Sequence, residues 1–151
     1  MLAYALFVLE NDSRICVPES WLPAGRLMQE EIQRFSGIRT TIETSPDSPC
    51  TITMRSGSDH DALPEDAREM IAAAEGFGII VQRETAMVLA TDLRGAVYGA
   101  LALADAIGPD GRSPGFRAAD SPEMAQRVIF WNLNIRNTPD WSLEAAQNFI
   151  R

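Results

Sequence analysis

The segment from Leu93 to Ile107 constrains this chain more than any other, because it is apolar almost all the way round. Val97, Leu101 and Ala104 face one way at helical spacing, while Gly95, Gly99, Ala102 and Ala106 make a face of small residues. Only Arg94, Tyr98 and Asp105 bring polarity into its body. A helix of this kind must be covered on more than one side. In a single-sheet domain the sheet covers one side, so something else has to cover the other. The small face predicts a second backbone passing close by.

The rest of the pattern supplies that sheet. Tyr4 to Leu9 and Arg14 to Val17 are short apolar runs separated by the turn formers Glu10-Asn11-Asp12-Ser13, which predicts a hairpin. Ser20 is a candidate N-cap for a helix over Ala24–Phe35, with Ala24, Leu27, Met28, Ile32 and Phe35 on its inner face and Gly37 at its end. Ile38–Glu43 and Thr51–Met54 alternate as a half-buried pair of strands around the loop Thr44-Ser45-Pro46-Asp47-Ser48-Pro49. A short helix is predicted over Pro64–Ala74, with Leu63, Ala67, Met70, Ile71 and Ala74 inward. Phe77–Gln82 and Ala86–Thr91, joined by Arg83-Glu84-Thr85, are predicted to form an antiparallel hairpin. Gly108 to Ala119 reads as turns that add no core. Beyond it, Arg127–Leu133 reads as an apolar strand and Trp141–Arg151 as the start of a helix capped by Ser142. A chain that stops inside a helix beside an unpaired apolar strand is expected to be a truncated one.

Charge and composition narrow the function classes. A net charge of −8 argues against a nucleic-acid surface, which needs clustered Lys and Arg. No apolar run approaches the ~20 residues of a membrane helix. Met1–Leu9 lacks a basic start and a small-residue cleavage site, so it reads as a strand and not as a signal peptide. On that basis Cys16 and Cys50 are expected as buried free thiols in a reducing, cytoplasmic setting.

At three places the residues resemble a known family: Gly76-Phe77-Gly78-Ile79-Ile80-Val81, then Ala86-Met87-Val88-Leu89-Ala90-Thr91-Asp92, then Arg94-Gly95-Ala96-Val97-Tyr98-Gly99-Ala100-Leu101-Ala102-Leu103. This hairpin followed by a Gly-x-x-Tyr-Gly helix is similar to the non-catalytic N-terminal α/β domain of β-N-acetylhexosaminidases, α-glucuronidases and related glycoside hydrolases. The resemblance implies an α+β fold: a mixed, mostly antiparallel sheet with two main helices packed on one face, followed by the first strand and helix of a truncated (β/α)8 barrel. The division expected is an accessory domain over 1–119, with a linker and the beginning of a catalytic barrel over 120–151.

Gly95, Tyr98, Gly99, Ala102 and Ala106 are then the residues expected to pack on the barrel. The partners implied are that barrel, in the same polypeptide, and the carbohydrate substrate of the parent enzyme, with a homo-oligomer through the bare barrel-facing surface as a further expectation. Where hexosaminidases usually place Arg-Gly at the start of the first barrel strand and Asp and Arg near its end, this chain has Val128 after Arg127, Asn132, and a displaced Arg136. Trp131, Asn132, Asn134 and Arg136 are the candidates for sugar contact, at the end of a barrel strand where such sites are built. The catalytic carboxylates of such barrels lie on later strands, so no catalytic residue is assigned here.

Other chemistry finds little purchase. Glycoside hydrolysis needs two carboxylates facing one bond, ~5–10 Å apart, and the adjacent Glu30 and Glu31 point in different directions on a helix. Asp59-His60-Asp61 is metal-capable, but it contains the chain's one histidine and no cysteine or second histidine stands at ligand spacing. No metal or cofactor is therefore expected. Two alternatives stay open: a stand-alone carbohydrate-binding module, which would need an exposed aromatic platform, and a small metal-dependent hydrolase using Asp59, His60 and Asp61. Against the first, Trp21, Phe35, Phe77 and Tyr98 fall on predicted inward faces or element edges.

Overall fold

The computed structural model describes residues 6–44, 49–57 and 63–123. In chain order the elements are β1 (Leu6–Val8), β2 (Arg14–Cys16), a 3₁₀ turn (Glu19–Trp21), α1 (Leu22–Ser36), β3 (Thr41–Glu43), β4 (Ile52–Ser56), α2 (Glu65–Ala72), β5 (Phe77–Val81), β6 (Ala86–Ala90), α3 (Leu93–Ala106), β7 (Arg112–Pro114) and β8 (Phe116–Asp120). Six strands form one mixed sheet in the order β3-β2-β4-β6-β5-β8, and β1 pairs with β7 in a separate antiparallel ribbon.

Strand alternation sorts the core into two layers. Ile15, Val17, Ile52, Met54, Ile79, Val81 and Val88 point to one face, where Ala24, Met28 and Ile32 of α1 and Ala96, Ala100 and Leu103 of α3 fill the space against them. The two main helices thus share a face, as expected. Ile80 and Leu89 point the other way and meet Leu63 and Ile71, so α2 lies on the opposite face. It covers the half of the sheet made by β5, β6 and β8. The inward set predicted for α2 is corrected in part: Met70 and Ala74 are exposed.

Local chemistry explains the C-terminal end of α1. Gly37, at φ 73°, closes α1 with its N–H on the Gln33 carbonyl, in the left-handed conformation that glycine adopts most readily. The predicted Ser20 cap is not used. The chain enters α1 from the 3₁₀ turn, in which the Trp21 N–H donates to the Pro18 carbonyl at 2.8 Å, and Trp21 itself occupies the cap position without a side-chain bond. Phe35, predicted inward, is 48% exposed and lies under the Arg34 guanidinium at 4.3 Å.

Three pairing expectations are corrected. The predicted β1–β2 hairpin does not form: β1 pairs antiparallel with β7, while β2 enters the main sheet between β3 and β4. The turn is present, with Ser13 N–H on the Glu10 carbonyl, but Leu9 N–H is taken by Gly111 and Asp12 N–H by Arg39. β3 and β4 are not partners of each other; each runs parallel to β2, on opposite sides of it. The Gly108–Ala119 segment is more than turns, since it supplies β7 and also β8, which pairs antiparallel with β5. The β5–β6 hairpin forms as predicted. Over all described ladders antiparallel residue pairs outnumber parallel ones, because the ladders of β5 are long.

A fourth correction concerns the cysteines. Cys16 and Cys50 form a disulfide, with Cα atoms 5.8 Å apart. The parallel β2–β4 pairing lays the chain entering β4 alongside β2, with Thr51 N–H on the Arg14 carbonyl, and Cys50 just ahead of it closes on Cys16. The predicted barrel strand Arg127–Leu133 and the helix Trp141–Arg151 lie outside the described residues.

Candidate functional site

The Gly-x-x-Tyr-Gly element begins α3, and a carboxylate organises it. The Asp92 side chain caps the helix by accepting from the Gly95 N–H at 2.8 Å, and its other oxygen accepts from the Glu75 N–H at 2.8 Å. Partial burial pushes this carboxyl up. The backbone N–H groups of Gly95, Glu75 and Arg94 and the Arg94 charge outweigh that, and hold it below its ordinary value. Glu75 sits in the left-handed region at φ 62°, an uncommon conformation for a residue with a Cβ. Its side chain accepts from Arg94 at 2.8 Å. One short clamp therefore ties the end of α2, the start of β5 and the start of α3.

The two motif glycines serve this packing. A Cβ on Gly95 would lie 2.3 Å from the Gly76 carbonyl oxygen, and one on Gly99 would lie 2.5 Å from a Val88 methyl and 3.2 Å from Phe77. The predicted close approach of a second backbone is real at Gly95, but that backbone is the chain's own, at Gly76 just ahead of β5. The assignment of Gly95 and Gly99 to a barrel-facing side is corrected accordingly: both are buried under the sheet. Ala102 and Ala106 are half-buried, and Tyr98 is 36% exposed.

The outward side of α3 carries Arg94, Tyr98 and Asp105, all exposed. On its flank Leu93, Val97 and Leu101 follow one another at i, i+4 spacing, Leu93 at 39% exposure and the other two half-buried. Beside Val97, the α1 residues Leu22, Pro23, Arg26, Leu27 and Glu30 complete a groove of about 440 Å³ between the two helices. The groove has an apolar floor and charged α1 residues along its rim, the anatomy of a contact surface.

A second concavity, about 620 Å³, opens on the other face of the sheet beside the ends of β2 and β4. Cys16, Cys50, Thr53, Arg55 and Met87 are among its lining residues. Among the described residues no three His, Cys, Asp or Glu side chains come together as a metal-holding group. Trp131, Asn132, Asn134 and Arg136, the candidates for sugar contact, lie outside the described residues, as do Asp59, His60 and Asp61. Glu31, one of the paired acids considered for hydrolysis, is engaged by Arg34 on the same helix.

No family model matches the sequence, and no curated protein matches it. Solved structures do. A chitobiase from Flavobacterium johnsoniae superposes with a TM-score of 0.66 at 14% identity, over 92% of this chain and 22% of that one. A β-N-acetylhexosaminidase from Bacteroides fragilis gives 0.56 at 21% identity, over 78% of this chain and 22% of that one. A family GH115 4-O-methyl-α-glucuronidase gives 0.55 at 17% identity, over 77% and 18%. The fold is one that glycoside hydrolases carry. This chain spans less than a quarter of the length of those enzymes. The resemblance read from the β5–β6 hairpin and the Gly95–Gly99 helix thus holds at the level of fold, and reaches both hexosaminidase and glucuronidase chains.

Proposed function

We propose that this chain is the non-catalytic N-terminal accessory domain of a glycoside hydrolase acting on O-glycosyl bonds, and that it supports a catalytic barrel in the same polypeptide. The observation that carries the reading is the conjunction of a fold shared with part of several glycoside hydrolases and a partly exposed apolar stripe, Leu93, Val97 and Leu101, on the flank of α3 beside Tyr98. Helices that finish a domain facing water carry charges there; α3 carries Arg94 and Asp105 and otherwise leaves apolar area. In this reading the α1–α3 groove seats the barrel, with Leu22, Leu27 and Val97 in its floor, Arg26 and Glu30 on its rim, and Leu93 and Tyr98 of α3 extending the contact beside it. The barrel would begin in the 120–151 segment, Trp131, Asn132, Asn134 and Arg136 would approach the sugar, and the substrate would belong to the parent enzyme.

The test starts with the reading frame beyond Arg151. Several hundred further residues of alternating strand and helix patterns are expected, and a stop codon at that point would sink the proposal. In the longer protein, the double variant Leu93→Glu/Tyr98→Glu should lower the melting temperature of the barrel and its hydrolytic activity together. In residues 1–123 alone the same pair should cost clearly less than in the longer protein, since the two positions are already 39% and 36% exposed there. Equal destabilisation in both contexts would mean that these side chains serve the domain's own fold.

A further inference from the structure

The six-stranded sheet has one weak joint. β4 and β6 share five residue pairs, and so do β6 and β5. β2 and β4 share two, Ile15 with Ile52 and Cys16 with Thr53. Beyond that joint, β3 is held to β2 by three pairs. The β3–β2 wing is covered by α1 on one face, whereas α2 on the other face makes its main contacts with β5, β6 and β8. Few ladder bonds and, among the described residues, no helix over the second face are the ordinary marks of a segment that opens locally.

The Cys16–Cys50 disulfide crosses this joint. Cys16 belongs to β2, Cys50 stands just ahead of β4, and the bond closes a span of 34 residues that contains α1 and β3. Cys16 is buried and Cys50 half-buried, and both line the concavity on the open face, beside Thr53, Arg55 and Met87. Among the described residues the bond is therefore open to a reductant from that side.

We propose that this disulfide is a redox-dependent clamp that fastens the β3–β2 wing to the sheet, and that the domain is built for an oxidising compartment. The bond forms by thiol–disulfide exchange: Cys16 and Cys50 together give up two protons and two electrons to the disulfide of a thiol oxidoreductase, which leaves as its dithiol. A dithiol reductant drives the reverse, closing on itself as a cyclic disulfide and leaving two thiols in the concavity. Such bonds persist in secreted and periplasmic proteins and are removed in a reducing cytosol. With the bond cut, β2 is held to β4 by the two-pair ladder, the Thr51 N–H bond to the Arg14 carbonyl and the α1 packing on Ile15 and Val17, while the β4–β6–β5–β8 part keeps its own long ladders and the α3 layer.

The whole chain, folded under oxidising conditions, is denatured without reductant in the presence of iodoacetamide. No adduct is expected; two adducts would overturn the proposal. Hydrogen exchange followed by mass spectrometry is then compared with and without dithiothreitol. Amides of Arg14–Cys16 and Thr41–Glu43 should exchange ~10-fold faster or more after reduction, while Ala86–Ala90 and Leu93–Ala106 stay protected. The Cys16→Ser/Cys50→Ser variant should reproduce the reduced pattern, with a melting temperature ~5–15 °C below that of the oxidised protein. If that variant fails to fold, stepwise reduction of the folded wild type gives the same readout. Unchanged protection in the reduced protein, or a rise spread evenly over all strands, would show that the bond does not clamp this wing.

Discussion

Replacing Asp92 by alanine removes the one side chain that joins three elements, and its cost can be worked from the two bonds it makes. Loss of the cap on Gly95 costs about 1 kcal/mol, within the ~0.5–2 kcal/mol range of N-cap truncations. The Glu75 N–H loses its acceptor as well; a donor left unsatisfied costs ~1–3 kcal/mol, and the lower half applies here because water reaches this half-buried position. Glu75 at φ 62° then keeps a left-handed backbone that nothing from Asp92 offsets. The sum is ~2–3 kcal/mol, or a fall in melting temperature of ~6–15 °C for a domain of this size. Asp92→Asn keeps one acceptor oxygen and should lose about half as much.

The pH dependence follows from the depressed carboxyl. Because the folded value lies below the unfolded one, the contribution is complete above the unfolded value near 4, and is lost as pH falls through the folded value. Glu75 and Arg94 are the charged groups paired beside it. Thermal melts of wild type and Asp92→Ala should therefore differ most at pH 6 and converge toward pH 3. A variant that melts within ~2 °C of wild type at pH 6 would refute the clamp, and a gap that widens on acidification would refute the sign of the shift.

Two further outcomes follow from the same geometry. Gly95→Ala drives a methyl group to 2.3 Å from the Gly76 carbonyl, so α3 must shift from β5; a loss of ~2–4 kcal/mol in urea denaturation is expected, and a neutral result would mean the helix has room to move. Aryl glycosides of N-acetylglucosamine and glucuronic acid should not be turned over by this chain alone, because no carboxylate pair flanks a sugar site among the described residues and Glu31 is bound to Arg34; turnover that disappears in His60→Ala would instead favour a hydrolase built on Asp59, His60 and Asp61.

What the sequence determined by itself was local, and set by period and by special backbone positions. The 3.6-residue spacing of Ala24, Met28 and Ile32, ended by Gly37, specified α1. The apolar runs of Phe77–Val81 and Ala86–Ala90 across a short turn specified an antiparallel hairpin. The nearly all-apolar Leu93–Ala106 announced a helix packed on more than one side, and with the Gly95-Ala96-Val97-Tyr98-Gly99 motif it carried the family resemblance. The tertiary structure alone decided which strand lies beside which. Three-residue strands such as β1, β2 and β3 carry too few side chains to encode a partner, and backbone hydrogen bonds are the same for any sequence. Hence β1 left β2 for β7, and β3 and β4 took opposite sides of β2. That arrangement brought Cys16 and Cys50 together, which spacing along the chain could not show. It also turned Gly95 and Gly99 toward the sheet and left Leu93, Val97 and Leu101 on the flank, because the rotation of a helix that is apolar all round is fixed by what it packs on and not by its own pattern.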